Sequence, residues 1–380
     1  QRYELARAAA IVARLVRFGA VLLLVGLGYG VIVLAVVTAG EALIRGSIQW
    51  WLVRSRVPEL PIRLSGAKSS VYRAFFRFSG WILVSSLAYK LLMVSDNVLV
   101  QIARGEKAEV VVYNATMGSI VYMEQILWAL AQVLVPFAAA GAALADQRAV
   151  RETILRGARF TLLIALPMIT YLCLAGRGFY GAWMFNPDKA REFSVADVAQ
   201  AQELLWILAP AFLALFVQQP AIAAFIGTGN VRVPALVNLG QGVAKIVLSL
   251  VLVRWLGLAG IALGTVIPLV VTNLLVIPVL SRRFLGVRPA ETLRESVWPA
   301  VLTLVVAGPL AWGWLELTRA TDPAAWRLRY QIPIALGVLA IYAVVAWFLG
   351  LKRDDRDWVR VRLPWRRRSA RRPDRSATPR

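Results

Sequence analysis

Residues 232–264 read RVPALVNLGQGVAKIVLSLVLVRWLGLAGIALG. A basic residue opens an apolar run that lasts to Arg254, Gly257 and Gly260 supply a short turn, and a second apolar run ends at Arg282 and Arg283. Each run is about 20 residues long, the length an α-helix needs to cross a hydrocarbon layer about 30 Å thick. This pattern predicts a transmembrane helical hairpin, and runs such as 160–175 and 332–350 repeat its character elsewhere.

Composition extends the same reading to the whole chain. Of 380 residues, 59% are hydrophobic and 17% charged, against roughly 45–50% and 25% in soluble proteins, so one soluble core cannot hide the excess. With one cysteine, Cys173, and no histidine, a disulfide framework, a zinc cluster and Cys/His or Ser/His/Asp catalysis are excluded. No enzyme activity, cofactor or metal is expected. The chain begins at Gln1, without methionine or a signal-like segment.

Hydropathy and breaker residues predict an all-α, polytopic transmembrane bundle of two pseudo-symmetric lobes with about ten spans. The spans fall at 8–28, 31–53, 80–101, 112–134, 160–180, 203–227, 232–254, 258–281, 296–316 and 332–350. The first two are the least distinct, because Arg14, Arg17, Glu41 and Arg45 lie within them. Alternate loops hold 27 and 9 Lys or Arg residues. By the positive-inside rule this split puts both ends of the chain in the cytoplasm of a bacterial inner membrane.

The organisation expected is the end of an N-terminal lobe at 1–53 with two spans, then a basic cytoplasmic linker at 54–79. A C-terminal lobe of six spans at 80–281, two added spans at 282–350 and a disordered basic tail at 351–380 complete it. Residues 2–35, RYELARAAAIVARLVRFGAVLLLVGLGYGVIVLA, share the layout of residues 232–264, a parallel repeat related by an axis along the membrane normal. If the lobes are equivalent, four N-terminal spans are missing. The tail has 12 basic and 4 acidic residues, including RLPWRRRSARRPDR, and is expected to lie against anionic lipids. Nothing aromatic or Gly-rich accompanies that charge as a nucleic-acid module would.

Three cations remain in mid-span: Arg45, Lys90 and Lys245. At about 2.5–3.5 kcal/mol each, they require either a hydrated cavity or ion pairs. The acids at hand are Glu41, Asp96 and Glu124, and Glu41 and Arg45 are spaced for a local i, i+4 pair. Asn238, Gln241 and Lys245 form one stripe at i, i+3, i+7, with Arg7, Arg14 and Arg17 similarly striped in the first repeat. Lys90 shares a face with Asn97, and Tyr89 with Asp96. The candidate cationic cavity is therefore Arg45, Lys90, Lys245, Arg17, Asn238 and Gln241. Glu124, at mid-membrane, and Asp96, nearer the outer surface, are the candidates for ion coupling. Gln218 and Gln219 before Pro220 suit either a cavity wall or interhelical hydrogen bonding. Trp50, Trp51, Trp81, Trp255, Trp298, Trp314 and Trp347 read as an interfacial belt.

Three stretches carry a family resemblance: FSGWILVSSLAYKLLMVSDNVLVQIARGEKAEVVVYNATM (78–117), LVPFAAAGAALADQRAVRETILRGARF (134–160) and ILAPAFLALFVQQPAIAAFIGTGNVRVPALVNLGQGVAK (207–245). They resemble the Wzx-type polysaccharide flippases for O-antigen and exopolysaccharide, a branch of the MATE-like multidrug/oligosaccharidyl-lipid/polysaccharide exporter superfamily. Ala138 departs from the pattern, since many relatives carry a serine soon after the proline. The resemblance implies a V-shaped pair of bundles, a cavity opening alternately to each side, and an undecaprenyl-diphosphate-linked oligosaccharide as cargo. The partners implied are that lipid-linked oligosaccharide, anionic lipids at the tail, and polysaccharide polymerase and export machinery, with no nucleic acid. Two related functions compete. A drug/cation antiporter favours acidic cavities, which mid-span cations oppose, whereas a lipid II flippase shares both fold and diphosphate. A membrane-embedded glycosyltransferase needs a larger outer loop than residues 176–202.

Overall fold

The computed structural model describes residues 3–29, 31–56, 69–104, 107–185 and 193–362. Among them every regular element is helical. Among the described residues, eight helical segments are long and apolar enough to cross a membrane: Ile32–Leu52, Ser69–Ile102, Glu109–Ala143, Gln147–Met184, Val195–Gly227, Arg232–Leu285, Pro289–Leu317 and Leu328–Gly350. The protein is a multi-pass membrane protein. The chain divides into two units, 1–73 and 74–380.

The first unit is a hairpin of α1 (Tyr3–Gly26) and α2 (Val31–Arg56). Gly28 turns the chain at φ 83°, a conformation that side chains with a Cβ resist. Backbone bonds from Leu27 to Leu23 and from Tyr29 to Leu24 close the end of α1. Leu15, Leu23 and Ile32 are exposed, as expected of side chains whose solvent is lipid.

The second unit is built on α6 (Gln147–Met184) and α7 (Val195–Gly227), which are buried along most of their lengths. Around them lie α3 (Ser69–Arg104), α4 (Lys107–Gln132) and α5 (Val135–Ala143). The core joins Tyr113, Leu127, Leu205, Phe212, Phe216 and Val338. Close approach relies on small residues, as is usual between membrane helices. A Cβ at Gly227 would strike the Val135 carbonyl, and one at Gly157 would strike Leu134 and Pro220. Asp146 starts α6 by accepting the Ala149 amide at 3.0 Å. Ser194 and Asp197 form a reciprocal capping box at the start of α7, satisfying two amides that the first helical turn leaves open.

The stretch 232–264 folds as a hairpin within α8 (Arg232–Val271), broken at Gly257 with φ 55° and ψ −135°. A straight helix would separate Ser249 from Ile261 by about 18 Å. Instead the Ser249 hydroxyl donates to the Ile261 carbonyl, and Gly264 packs directly on Ser249. The 54-residue segment Arg232–Leu285 thus contains two of the expected spans.

After a π-helical turn at Thr272–Val276 come α9 (Ile277–Leu285) and α10 (Pro289–Thr292). A second π-turn at Leu293–Val297 leads into α11 (Trp298–Leu317), followed by α12 (Leu328–Val345). A third π-turn at Ala346–Gly350 precedes α13 (Arg353–Arg362).

The expectation of a disordered tail from residue 351 needs correction over α13. Asp355 is 1% exposed and pairs with Arg159 at 2.5 Å and Arg156 at 3.1 Å, both on α6. Arg159 also donates to the Glu295 carbonyl, Lys352 pairs with Glu295 at 2.8 Å, and Arg356 caps the Phe348 and Leu351 carbonyls. The contacts of Lys352, Asp355 and Arg356 are ionic or made to backbone carbonyls, a kind that apolar periodicity does not reveal. The run from residue 363 onward lies outside the described residues.

Candidate functional site

The polar stripe of α8 faces α3. Arg232 lies over the Trp81 ring at 5.2 Å, Asn238 donates to the Ser85 hydroxyl at 3.2 Å, and Lys245 reaches the Leu92 carbonyl and Asp96. Residue numbers rise together along both helices, so α3 and the first arm of α8 run parallel.

Lys245 and Asp96 close that seam as a buried ion pair at 2.9 Å, with Lys245 wholly inaccessible. The Tyr113 hydroxyl donates to the other Asp96 oxygen at 3.0 Å, and Thr265 lies at 3.5 Å from the first. Lys245 divides its protons between a carboxylate and a helix carbonyl four residues apart on α3. Each charge is thus compensated and hydrogen-bonded, the condition under which a low-dielectric interior tolerates it.

This geometry corrects two expectations. Lys245 does not line an open cavity, because Asp96 and Leu92 enclose its ammonium group. Asp96 is not open to an ion entering from the outer surface, because Lys245 and Tyr113 occupy its oxygens. Gln241, on the same stripe, is buried and its side-chain amide nitrogen has no partner.

A second buried polar group lies between α3, α4 and α7. Glu124 accepts the Gln219 side-chain amide at 3.1 Å, with the Tyr89 hydroxyl beside it. Among the described residues no cation pairs with Glu124. Two polar atoms here, the Gln219 carbonyl oxygen and the Tyr89 hydroxyl, lack hydrogen-bond partners. Glu124 differs from Asp96 in this respect, since its neighbours are neutral donors and acceptors with capacity to spare.

In the first unit Arg17 pairs with Glu41 at 3.0 Å. The local Glu41–Arg45 pair expected from spacing is therefore replaced by one across the hairpin, where α1 presents Arg17 to α2. Arg45 is exposed and has no ion pair among the described residues, and the same holds for Lys90 in the second unit. Within each unit, the six residues expected to form one cationic cavity are engaged differently. Lys245 and Arg17 are neutralised by acids, Asn238 and Gln241 belong to the α3–α8 seam, and Arg45 and Lys90 remain available to an anion.

Sequence reasoning did not single out Ser85, Tyr113 or Thr265, which complete the seam. Hydroxyl residues are common in membrane helices, so no sequence signal distinguished them. Gln219 was visible as an amide in an otherwise apolar run, but its acid partner 95 positions away was not.

Membrane-length helices, buried compensated charges and exposed cations in mid-helix define a polytopic membrane protein of the transporter class. Residues 1–179 match a family model described as polysaccharide biosynthesis protein. The match runs from α1 through most of α6, includes Arg45, Lys90, Asp96 and Glu124, and supports a protein of the polysaccharide biosynthesis or flippase type. No curated protein matches the sequence.

Proposed function

We propose that this protein flips an undecaprenyl-diphosphate-linked oligosaccharide across the bacterial inner membrane by ion-coupled alternating access. The observation that carries the reading is the pair of mid-helix cations, Arg45 and Lys90, exposed without an ion pair among the described residues. A cation facing lipid at that depth costs about 2.5–3.5 kcal/mol. A water-accessible path that receives a diphosphate removes the cost and gives the charge a use. The lipid tail stays in the bilayer while the headgroup crosses. Lipid II, which carries the same diphosphate, is the nearest alternative cargo, and a drug/cation antiporter is disfavoured by unpaired cations. No nucleotide-binding G-x-x-x-x-G-K-[ST] motif occurs in the sequence, so the driving force assigned here is an ion gradient sensed at Glu124.

The test is flipping of a fluorescent undecaprenyl-diphosphate sugar in proteoliposomes, with and without an imposed pH gradient. Lys90→Gln lowers the rate about tenfold or more, in line with the loss of a charge-assisted contact. Glu124→Gln retains binding of the lipid but no longer responds to the gradient. A Lys90→Gln rate equal to wild type removes Lys90 from the path, and an unchanged gradient response in Glu124→Gln removes the coupling role. Flipping of lipid II in preference to the other substrate assigns the cargo to the peptidoglycan precursor.

The orientation proposed from the charge split is checked separately. In a Cys173→Ser background, Thr321→Cys reacts with a membrane-impermeant maleimide in intact cells and Arg148→Cys reacts only after lysis. The reverse pattern overturns the topology. Cys173 itself is buried, so its replacement serves only to lower background labelling.

A further inference from the structure

The loop joining α11 to α12 is braced more firmly than a connector requires. The Gln331 side chain is buried, donates to the Ala320 carbonyl at 2.8 Å and the Ala325 carbonyl at 3.1 Å, and accepts the Tyr171 hydroxyl at 2.7 Å. From the other side, Gly178 and Gly181 of α6 let the Ala320 backbone and the Trp326 ring approach where a Cβ would collide. Within this frame Arg319 adopts a left-handed backbone with φ 49°. That conformation ends α11 in the usual way, with the Arg319 and Ala320 amides donating back to the Glu316 and Leu315 carbonyls, and it sets where the Arg319 side chain leaves the helix.

The loop roofs a cleft of about 610 Å³ lined by Trp314, Arg319, Asp322 and Tyr330. This volume lies in the range of small-ligand sites. Trp314 was expected in the interfacial belt, but its surroundings differ from those of Trp312, which is 57% exposed. The Trp314 indole N–H donates to the Ile334 carbonyl at 3.1 Å, and its ring is seated against Gly337. A belt tryptophan offers that N–H to headgroups, whereas here it fixes the ring as a wall of the cleft. Tyr330 is held likewise, with Arg329 stacked 4.8 Å from its ring centre and donating to its hydroxyl at 3.2 Å.

The geometry points to a carbohydrate-binding cleft between the ends of α11 and α12, on the face assigned by charge as the outer one. The fixed Trp314 ring and the partly exposed Tyr330 ring present apolar surface to the C–H face of a pyranose ring. Arg319 supplies donors for hydroxyl groups at its edge. The cleft is distinct from Lys90 and Glu124. It rests on the proposed function only in the class of ligand, since it receives the sugar moiety and needs neither lipid nor diphosphate.

The experiment is saturation-transfer NMR on the full chain in nanodiscs. The probe is the lipid-free repeat-unit oligosaccharide released by mild acid from the host strain's surface polysaccharide. Wild type transfers saturation to the sugar ring protons, and apparent affinity falls about tenfold in Trp314→Ala. Arg319→Gly guards against a folding artefact, because glycine accepts the left-handed backbone. That variant keeps its melting temperature and loses affinity. Absence of transfer from wild type, or transfer from both variants equal to that of wild type, overturns the proposal. Loss of sugar binding when phosphatidylglycerol replaces phosphatidylcholine in the discs assigns the cleft to lipid headgroups and overturns it as well. Failure of flipping with cleft binding intact would count against the transport reading alone.

Discussion

Asp355→Ala lowers the melting temperature of the purified protein by roughly 5–8 °C, the shift expected when about 3–5 kcal/mol is lost from a unit of this size. The effect comes from Arg159, which is buried and depends on Asp355 for compensation. Arg156 is 41% exposed on its side chain and adds little, because water already screens it. Removing Asp355 leaves a guanidinium in a low-dielectric pocket with one backbone carbonyl and the more distant Glu295 charge. Asp355→Asn, which preserves shape, shows most of the same loss. The double variant Arg159→Met/Asp355→Leu regains much of it, since two apolar groups need no compensation. A scanning-fluorescence melt of Asp355→Ala within about 1 °C of wild type would show that α13 is not held by this contact.

The second large effect lies in the α3–α8 seam. Lys245→Met strands Asp96, and Asp96→Leu strands Lys245, each at a cost of about 3–5 kcal/mol. Combined, the substitutions are far less damaging than their sum, because the double variant contains no unpaired charge. A double-mutant cycle from melting temperatures gives this coupling directly. Additive losses would show that the pair is not formed in the membrane. Transport by the double variant then separates structure from mechanism. A stable but inactive double variant means that the pair opens during the cycle and one charge meets the substrate, whereas a stable and active one makes it a structural clasp.

The two seams differ in how far the sequence exposed them. The hairpin at Gly257 could be read directly, because two apolar runs of membrane length flanked a glycine-rich interruption. The Asn238, Gln241, Lys245 stripe was equally plain, and its helical spacing correctly put three polar residues on one face. What that face met could not be read, because Lys245 and Asp96 are 149 positions apart in the numbering, and spacing rules act only within a helix. Spacing even misdirected the reading of Glu41, for which Arg45 one turn away looked sufficient and Arg17 on the neighbouring helix proved closer. Helix α13 was missed for a different reason. Asp355 on it pairs with Arg156 and Arg159 of α6, and hydropathy cannot see an ionic latch.

Helix α6 is broken at Ala175, and the stretch before the break, residues 147–174, rises about 42 Å, while the hydrocarbon it crosses is about 30 Å thick. Its first turns carry Arg148, Arg151, Glu152 and Arg156, so the surplus belongs to the charged end. That end packs with α5, α7 and α9 around Val150, Ile154 and Leu155, and a cluster of this kind emerging from a detergent belt breaks the featureless outline that makes small membrane proteins hard to align in electron micrographs. An antibody fragment raised against the exposed residues of that cluster would ride on helices packed against one another, so its density would report the orientation of every particle.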